Sequence, residues 1–365
     1  MSDLKSLLNL GQAVWLDSIS RELIASGELR RLVQSGLRGL TSNPSIFEKA
    51  IAQGKDYEAA IARNAKKGLD PKGIFEQLAI ADIRDAADIL RGVYDETKAA
   101  DGYVSLEVSP GLARDTDGTI AEARRLWREV DRPNLMIKVP GTPEGVPAIR
   151  QLLTEGINVN ITLLFARSAY EQVMNAWLDA LDARAAKNED VSRMASVASF
   201  FVSRIDTAVD ALIEKSGSAE LKAVAGKIAI ANARLAYQSY LKMIAGERWK
   251  KLAARGARPQ RLLWASTSSK NPAYRDVLYV EELIGADTVN TLPPATLQAF
   301  VDHGKAAPTL QSGAAEAEQA LATLAQGGIA LAAVTDHLLE DGIKQFADAF
   351  DKLLGAVNTQ ASALK

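Results

Sequence analysis

Strict alternation of apolar and polar residues appears at several places along the chain, and each place is followed by a longer helical repeat. In Tyr103–Ser109, Val104, Leu106 and Val108 take one face, while Ser105, Glu107 and Ser109 take the other. Asn134–Pro140 divides the same way, with Leu135, Ile137 and Val139 opposite Met136, Lys138 and Pro140. Six further stretches read as strands: 14–18, 37–43, 157–164, 195–203, 261–266 and 287–292. Between them lie helical patterns, beginning with Ser20–Gln34, which Ser35-Gly36 ends. About sixty residues after Pro44 carry no strand signal, and Phe75, Ala79, Ile83, Ala86 and Leu90 form a helical stripe there. Helices are also expected over Asp117–Glu129 and Glu144–Leu153, from Ser168 onward, and once or twice between Ile205 and Gly246. Eight strands separated by helices predict an α/β fold, a parallel (β/α)8 barrel of the TIM type.

After the last strand the chain turns helical, and Leu339, Ile343, Phe346, Phe350 and Leu353 repeat at coiled-coil-like spacing. The run is too short for a coiled coil, so helices over about 314–357 are expected to pack on the chain's own barrel. No linker or internal repeat divides the sequence, and residues 1–365 read as one domain.

Polar residues recur near the C-terminal ends of seven of these strands: Asp17, Asn43, Glu107, Lys138, Asn160 with Thr162, Ser199 and Ser266. Barrel interiors are normally filled by branched apolar side chains, and barrel active sites lie at this end. Such a ring is costly unless its members satisfy one another or serve a substrate. Lys138 stands out, because a buried lysine is rare unless it is paired or has a task. In a water-poor site the ammonium form is disfavoured, and a neutral amine attacks carbonyls.

Composition narrows the chemistry. The net charge is −2 with no basic block, which gives no nucleic-acid or anionic-membrane surface. With no cysteine there is no thiolate nucleophile, disulfide or Cys-type metal site. The two histidines, His303 and His337, fall in late helical segments without metal-spaced partners. No leader and no apolar run of membrane length is evident, so the protein reads as soluble and cytoplasmic. A lysine without metal ligands or a dinucleotide-binding glycine motif suggests an imine with a ketone or aldehyde, itself an electron sink that needs no cofactor. Asp17 and Glu107, the two carboxylates of the inner face, are candidate proton shuttles. Arg204, just past a strand end, is a candidate phosphate clamp, or else one half of a surface ion pair.

With these residues assembled, the sequence resembles the transaldolases. Gly39–Phe47 (GLTSNPSIF) is similar to one family signature, and Leu135–Leu152 (LMIKVPGTPEGVPAIRQL) to the second, which holds the Schiff-base lysine. WLDSISR (15–21), SLEVSP (105–110), GINVNITLLF (156–165) and SFFVSRID (199–206) fit in order and spacing. The resemblance implies a class I aldolase barrel acting in the non-oxidative pentose phosphate pathway. A dihydroxyacetone unit would pass from fructose 6-phosphate or sedoheptulose 7-phosphate to an aldose phosphate. By position it implies that Lys138 forms the imine and that Asp17 is the acid/base of carbon–carbon cleavage. Glu107, with Thr162 and a water, would move protons during imine formation. Asn43 and Asn160 would hold dihydroxyacetone, Phe201 would line the water pocket, and Ser199, Arg204 and Ser266 would lie towards the phosphate.

Two positions depart from the family. Many relatives have proline where Phe200 stands, and many carry an arginine at the place of Ser268; Lys270 is the candidate for the missing charge. The stretch ASTSSKNP (265–272) resembles a longer branch that some organisms fuse to a glucose-6-phosphate isomerase. Fusion to or association with that enzyme, and a monomer or homodimer, all stay open. So do two other functions: a fructose 6-phosphate aldolase, which the intact Asp17 and Glu107 disfavour, and a barrel kept as a non-catalytic scaffold.

Overall fold

The computed structural model describes residues 4–363. Its centre is a closed parallel barrel whose eight strands neighbour one another in chain order. They are β1 (Gln12–Asp17), β2 (Gly39–Thr41), β3 (Tyr103–Glu107), β4 (Leu135–Pro140), β5 (Val159–Leu164), β6 (Ser196–Phe201), β7 (Arg261–Ala265) and β8 (Thr288–Leu292). All eight expected strands are present, most of them shorter than the apolar pattern suggests.

The largest difference is in β2, expected over 37–43 and paired only from Gly39 to Thr41. Asn43 has left the ladder to cap the next helix, Pro44–Gln53: its Oδ1 accepts from the Ile46 amide at 3.0 Å, and Pro44 occupies the first turn. The expected helix over Ser20–Gln34 is two helices, Arg21–Ala25 and Glu28–Gln34. Gly27 breaks it with φ +78°, a left-handed conformation that favours glycine. The stripe from Phe75 to Leu90 belongs to one 26-residue helix, Pro71–Glu96. Three helices, not one or two, fill the stretch from Ile205 to Gly246: Ser203–Ser216, Ala219–Lys222 and Ile228–Ala245.

Strand register lines up the polar residues. Glu107 pairs with Lys138 across β3 and β4, and Lys138 with Asn160 across β4 and β5. Between Ile161 and Leu164 the β5–β6 register shifts, and Leu163 takes φ +59°. Ser266, just past β7, takes φ +55°. Left-handed non-glycine residues cost energy and persist where their surroundings over-determine them. At the opposite end the barrel is plugged: Asp101 accepts from Trp15 Nε1 at 3.0 Å and pairs with Arg261 at 3.0 Å.

The C-terminal part contains Ala314–Gln326 and a 33-residue helix, Leu331–Ala363. The latter packs on this chain, with its Gln360 amide donating to the Ile51 carbonyl of helix Pro44–Gln53 at 3.0 Å. Among the described residues no helix is long and apolar enough to cross a membrane.

Candidate active site

A cavity of about 170 Å³ opens at the C-terminal ends of the strands. Nine of the residues expected in the site line it: Asp17, Asn43, Lys138, Thr162, Ser199, Phe201, Arg204, Ser266 and Lys270. It merges outward with a cleft of about 810 Å³ that shares Asp17, Asn43, Arg204 and Lys270. Glu107 and Asn160 lie behind this lining and act on it through other side chains.

Lys138, at 5 % exposure, is the centre. Its Nζ donates to the Ser42 carbonyl at 2.9 Å and lies 3.4 Å from Glu107 Oε2. Burial pushes the Glu107 carboxyl above the ordinary carboxylate range; the Lys138 charge opposes this and the nearby Asp17 adds to it. Burial raises Asp17 as well, against the Lys138 charge and the Thr41 hydroxyl, which donates to Asp17 Oδ1 at 2.7 Å. The Glu107 carboxyl and the half-buried Asp17 thus both face the Lys138 side chain. The site holds an amine beside groups able to keep a proton and release it, which general acid–base work needs.

The remaining polar groups divide into those tied to the protein and those left open. Asn160 donates to Ser105 Oγ at 3.0 Å and accepts from Ser199 Oγ at 2.7 Å, so its amide is engaged at both ends and orients Ser199. Ser42 Oγ donates to the Ser105 carbonyl at 2.7 Å, which ties the backbone that holds Lys138 to the same network. By contrast, Glu107 Oε1, Thr162 Oγ1 and Arg204 Nη1 are buried without a hydrogen-bond partner in the protein. Such groups are expensive to leave unmade, and Thr162 and Arg204 line the cavity, where a ligand can complete them.

Arg204 follows β6 in the first turn of helix Ser203–Ser216, with its guanidinium 5.7 Å from the Phe201 ring. Burial pulls its pKa below the ordinary arginine value, and Asp341 works in the opposite direction. Lys270 stands exposed at the rim, where its Nζ donates to Ser268 Oγ at 2.9 Å. Ser266 shares a 3.0 Å hydrogen bond with Ser203.

Besides Ser42 and Ser105, three contributors escaped the sequence reading. Thr41 holds Asp17, and Thr291 on β8 holds Thr41 at 2.7 Å, so the eighth strand also supplies a polar residue. Thr41 lies two residues before Asn43, so period-2 alternation would put the two on one face. Phe346, from helix Leu331–Ala363, lines both the cavity and the cleft, with its ring centroid 5.9 Å from Lys138 Nζ. His303 is a helix-end residue paired with Asp276 and Asp302, away from this cavity, and His337 is exposed.

A parallel barrel with a buried lysine, two carboxyls and an unpaired arginine at its C-terminal mouth has the build of a lysine-dependent carbonyl enzyme. The family model for transaldolase/fructose-6-phosphate aldolase matches residues 14–357, and the chain belongs to that family. It is 48 % identical to a transaldolase of Trichodesmium erythraeum, over 98 % of this chain and 97 % of that one. A transaldolase of Thiobacillus denitrificans is 49 % identical, over 98 % of this chain and 100 % of that one. A protein named transaldolase 2, from Nostoc sp., is 48 % identical over 100 % and 99 % of the two chains.

Proposed function

We infer that this protein is a transaldolase, moving a dihydroxyacetone unit from a ketose phosphate to an aldose phosphate through an imine on Lys138. The observation that carries the reading is the placement of Lys138 Nζ, 2.9 Å from a carbonyl and 3.4 Å from Glu107, in a cavity that Asp17 also lines. Full-length likeness to proteins named transaldolase supports the same assignment.

The Lys138 amine adds to C2 of the ketose, giving a carbinolamine. Glu107, with Thr162 and a water, moves the proton that lets hydroxide leave as water, and the imine forms. Asp17 then takes the C4 hydroxyl proton. The C3–C4 bond breaks, its electron pair goes to C3 with the iminium as sink, and an aldose phosphate departs. The resulting enamine carbon attacks the acceptor aldehyde, and Asp17 returns its proton to the new hydroxyl. Hydrolysis of the imine releases the product ketose and restores the amine.

The donor lies along the cavity with its phosphate at Arg204, and Lys270 at the rim supplies the second positive charge. Asn43 Oδ1 is spent on the helix cap, which leaves its Nδ2 for the sugar hydroxyls; Asn160 contributes through Ser199. These substrates belong to the non-oxidative pentose phosphate pathway. The test is a coupled assay with fructose 6-phosphate, run with and without erythrose 4-phosphate. Turnover that requires the acceptor is the expected result. Acceptor-free turnover would make the protein an aldolase, and silence would leave it a scaffold.

A further inference from the structure

The family name covers two outcomes, transfer to an acceptor and release of free dihydroxyacetone, so something in each chain must choose between them. After C3–C4 cleavage, Lys138 carries an enamine of dihydroxyacetone. It has two fates. C3 can add to an aldehyde, completing transfer. Alternatively C3 takes a proton, water adds at C2, the C2–N bond breaks, and dihydroxyacetone leaves with the Lys138 amine restored. Both paths end in hydrolysis at C2, so what separates them is whether C3 meets an aldehyde or a proton first, and water reaching the enamine carries that proton.

Most residues that line the cavity are polar; two large apolar rings join them, Phe201 and Phe346, and it is Phe346 that is held over the amine. It is 8 % exposed, and its centroid lies 5.9 Å from Lys138 Nζ. Two features of its helix fix the ring. One turn earlier, Gly342 packs so closely on Leu163 that a Cβ there would meet Leu163 Cδ2 at 2.9 Å. Leu163 is the left-handed residue next to Thr162. One turn later, Phe350 meets Phe75 edge-on at 5.6 Å, and Phe75 meets Phe47 at 5.4 Å. Glu340 adds an ion pair to Arg114 on the loop after β3. The ring is therefore seated from both sides, and it offers water no hydrogen-bonding partner.

We propose that Phe346 is the specificity-determining residue that roofs the Lys138 adduct and sets the ratio of transfer to hydrolytic release. This rests on the imine chemistry inferred for Lys138.

The experiment compares Phe346→Ala and Phe346→Leu with Leu338→Ala, a buried residue of the same helix that does not line the cavity. Each variant is assayed for transfer from fructose 6-phosphate to erythrose 4-phosphate and for dihydroxyacetone release without acceptor. Borohydride trapping with intact mass measurement follows the adduct. Phe346→Ala should raise the release-to-transfer ratio by roughly tenfold or more, the lower end of what altering an apolar pocket wall does to discrimination. Phe346→Leu should fall between it and the wild type, and Leu338→Ala should keep the wild-type ratio while lowering the melting temperature. If Phe346→Ala does not fold, Phe346→Leu and Phe346→Met carry the same measurement. An unchanged ratio in the Phe346 variants, with the adduct still forming, overturns the proposal alone. A shift in Leu338→Ala equal to that in Phe346→Ala also overturns it, because helix seating would then be the cause. Failure to trap any adduct on Lys138 in the wild-type protein overturns the lysine chemistry and this proposal together.

Discussion

The Thr41 hydroxyl gives its one proton to Asp17 Oδ1, at 2.7 Å, so the equally short contact with Thr291 must be a bond that Thr291 donates to Thr41. The carboxyl assigned to carbon–carbon cleavage is thus aimed by a two-hydroxyl chain from β2 and β8. The hydroxyl favours the ionised carboxylate, against the burial that raises Asp17.

Thr41→Val keeps the shape and removes the proton. A hydrogen bond to a charged group contributes about 1.5–3 kcal/mol, so kcat should fall by roughly 10-fold or more. With that lowering influence gone, the Asp17 pKa rises further, and the acidic limb of the kcat profile should move to higher pH. Thr291→Val should move it in the same direction by less. A limb that stays in place in both variants would remove Asp17 from the titration.

The two carboxyls should separate on mutation, each losing on the order of 10²–10⁴-fold in turnover. Asp17→Ala should form the imine with fructose 6-phosphate and stall there, giving a hexose phosphate adduct on Lys138 after borohydride reduction. Glu107→Ala should show little adduct at early times. A dihydroxyacetone-sized adduct in Asp17→Ala would mean that cleavage proceeds without it.

Arg204→Ala should raise the KM for fructose 6-phosphate by about 10- to 100-fold, because Nη1 is a buried donor without a protein partner and a charge-assisted phosphate contact contributes about 1.5–3 kcal/mol. Steady-state kinetics read this directly. An unchanged KM would move the phosphate to Lys270.

Asp206 concerns stability rather than chemistry. Its Oδ1 accepts from the Ala229 amide at 2.7 Å and its Oδ2 from Tyr279 at 2.9 Å, and burial raises its pKa from 3.8 to about 6. Between those values the folded chain holds a proton that the unfolded chain has lost, so this residue's contribution to stability declines as pH rises through the window. Asp206→Asn does not titrate; its Oδ1 still accepts from the Ala229 amide, and its Nδ2 donates to the Tyr279 oxygen in the reverse direction. Melting curves from pH 4 to 7 should lose that decline, leaving the variant as stable as the wild type or more so at pH 7. A wild-type-like slope in the variant would assign the decline to other groups.

The barrel and most of its inner ring were legible in the sequence for a physical reason. A strand's side chains alternate, and every barrel strand but β7 stops within three residues of a Pro, a Gly or a helix cap, so the residue at its catalytic end can be located. Lys138 could be found because lysine in such a place is rare. Thr41, Thr291, Ser42 and Ser105 were not found, since small hydroxyl residues are common in strands and nothing local announces their partners. Phe346 sat in plain view within an apolar helical stripe, where a phenylalanine ordinarily means packing. Its relation to Lys138 is set by a contact across more than two hundred residues, which periodicity does not encode. Asn43 shows the opposite case: the Asn-Pro step that ended β2 was a helix cap, and the cap took half of the amide assigned to substrate.

The order of synthesis gives the long terminal helix a further consequence. All eight strands have been made by Leu292, and every polar side chain of the site precedes that point or belongs to β8. The covering ring at position 346 comes later, in helix Leu331–Ala363. Because chains emerge from the amino end, the ring that covers Lys138 is the last part of the site to be made, after the barrel and every polar group it encloses.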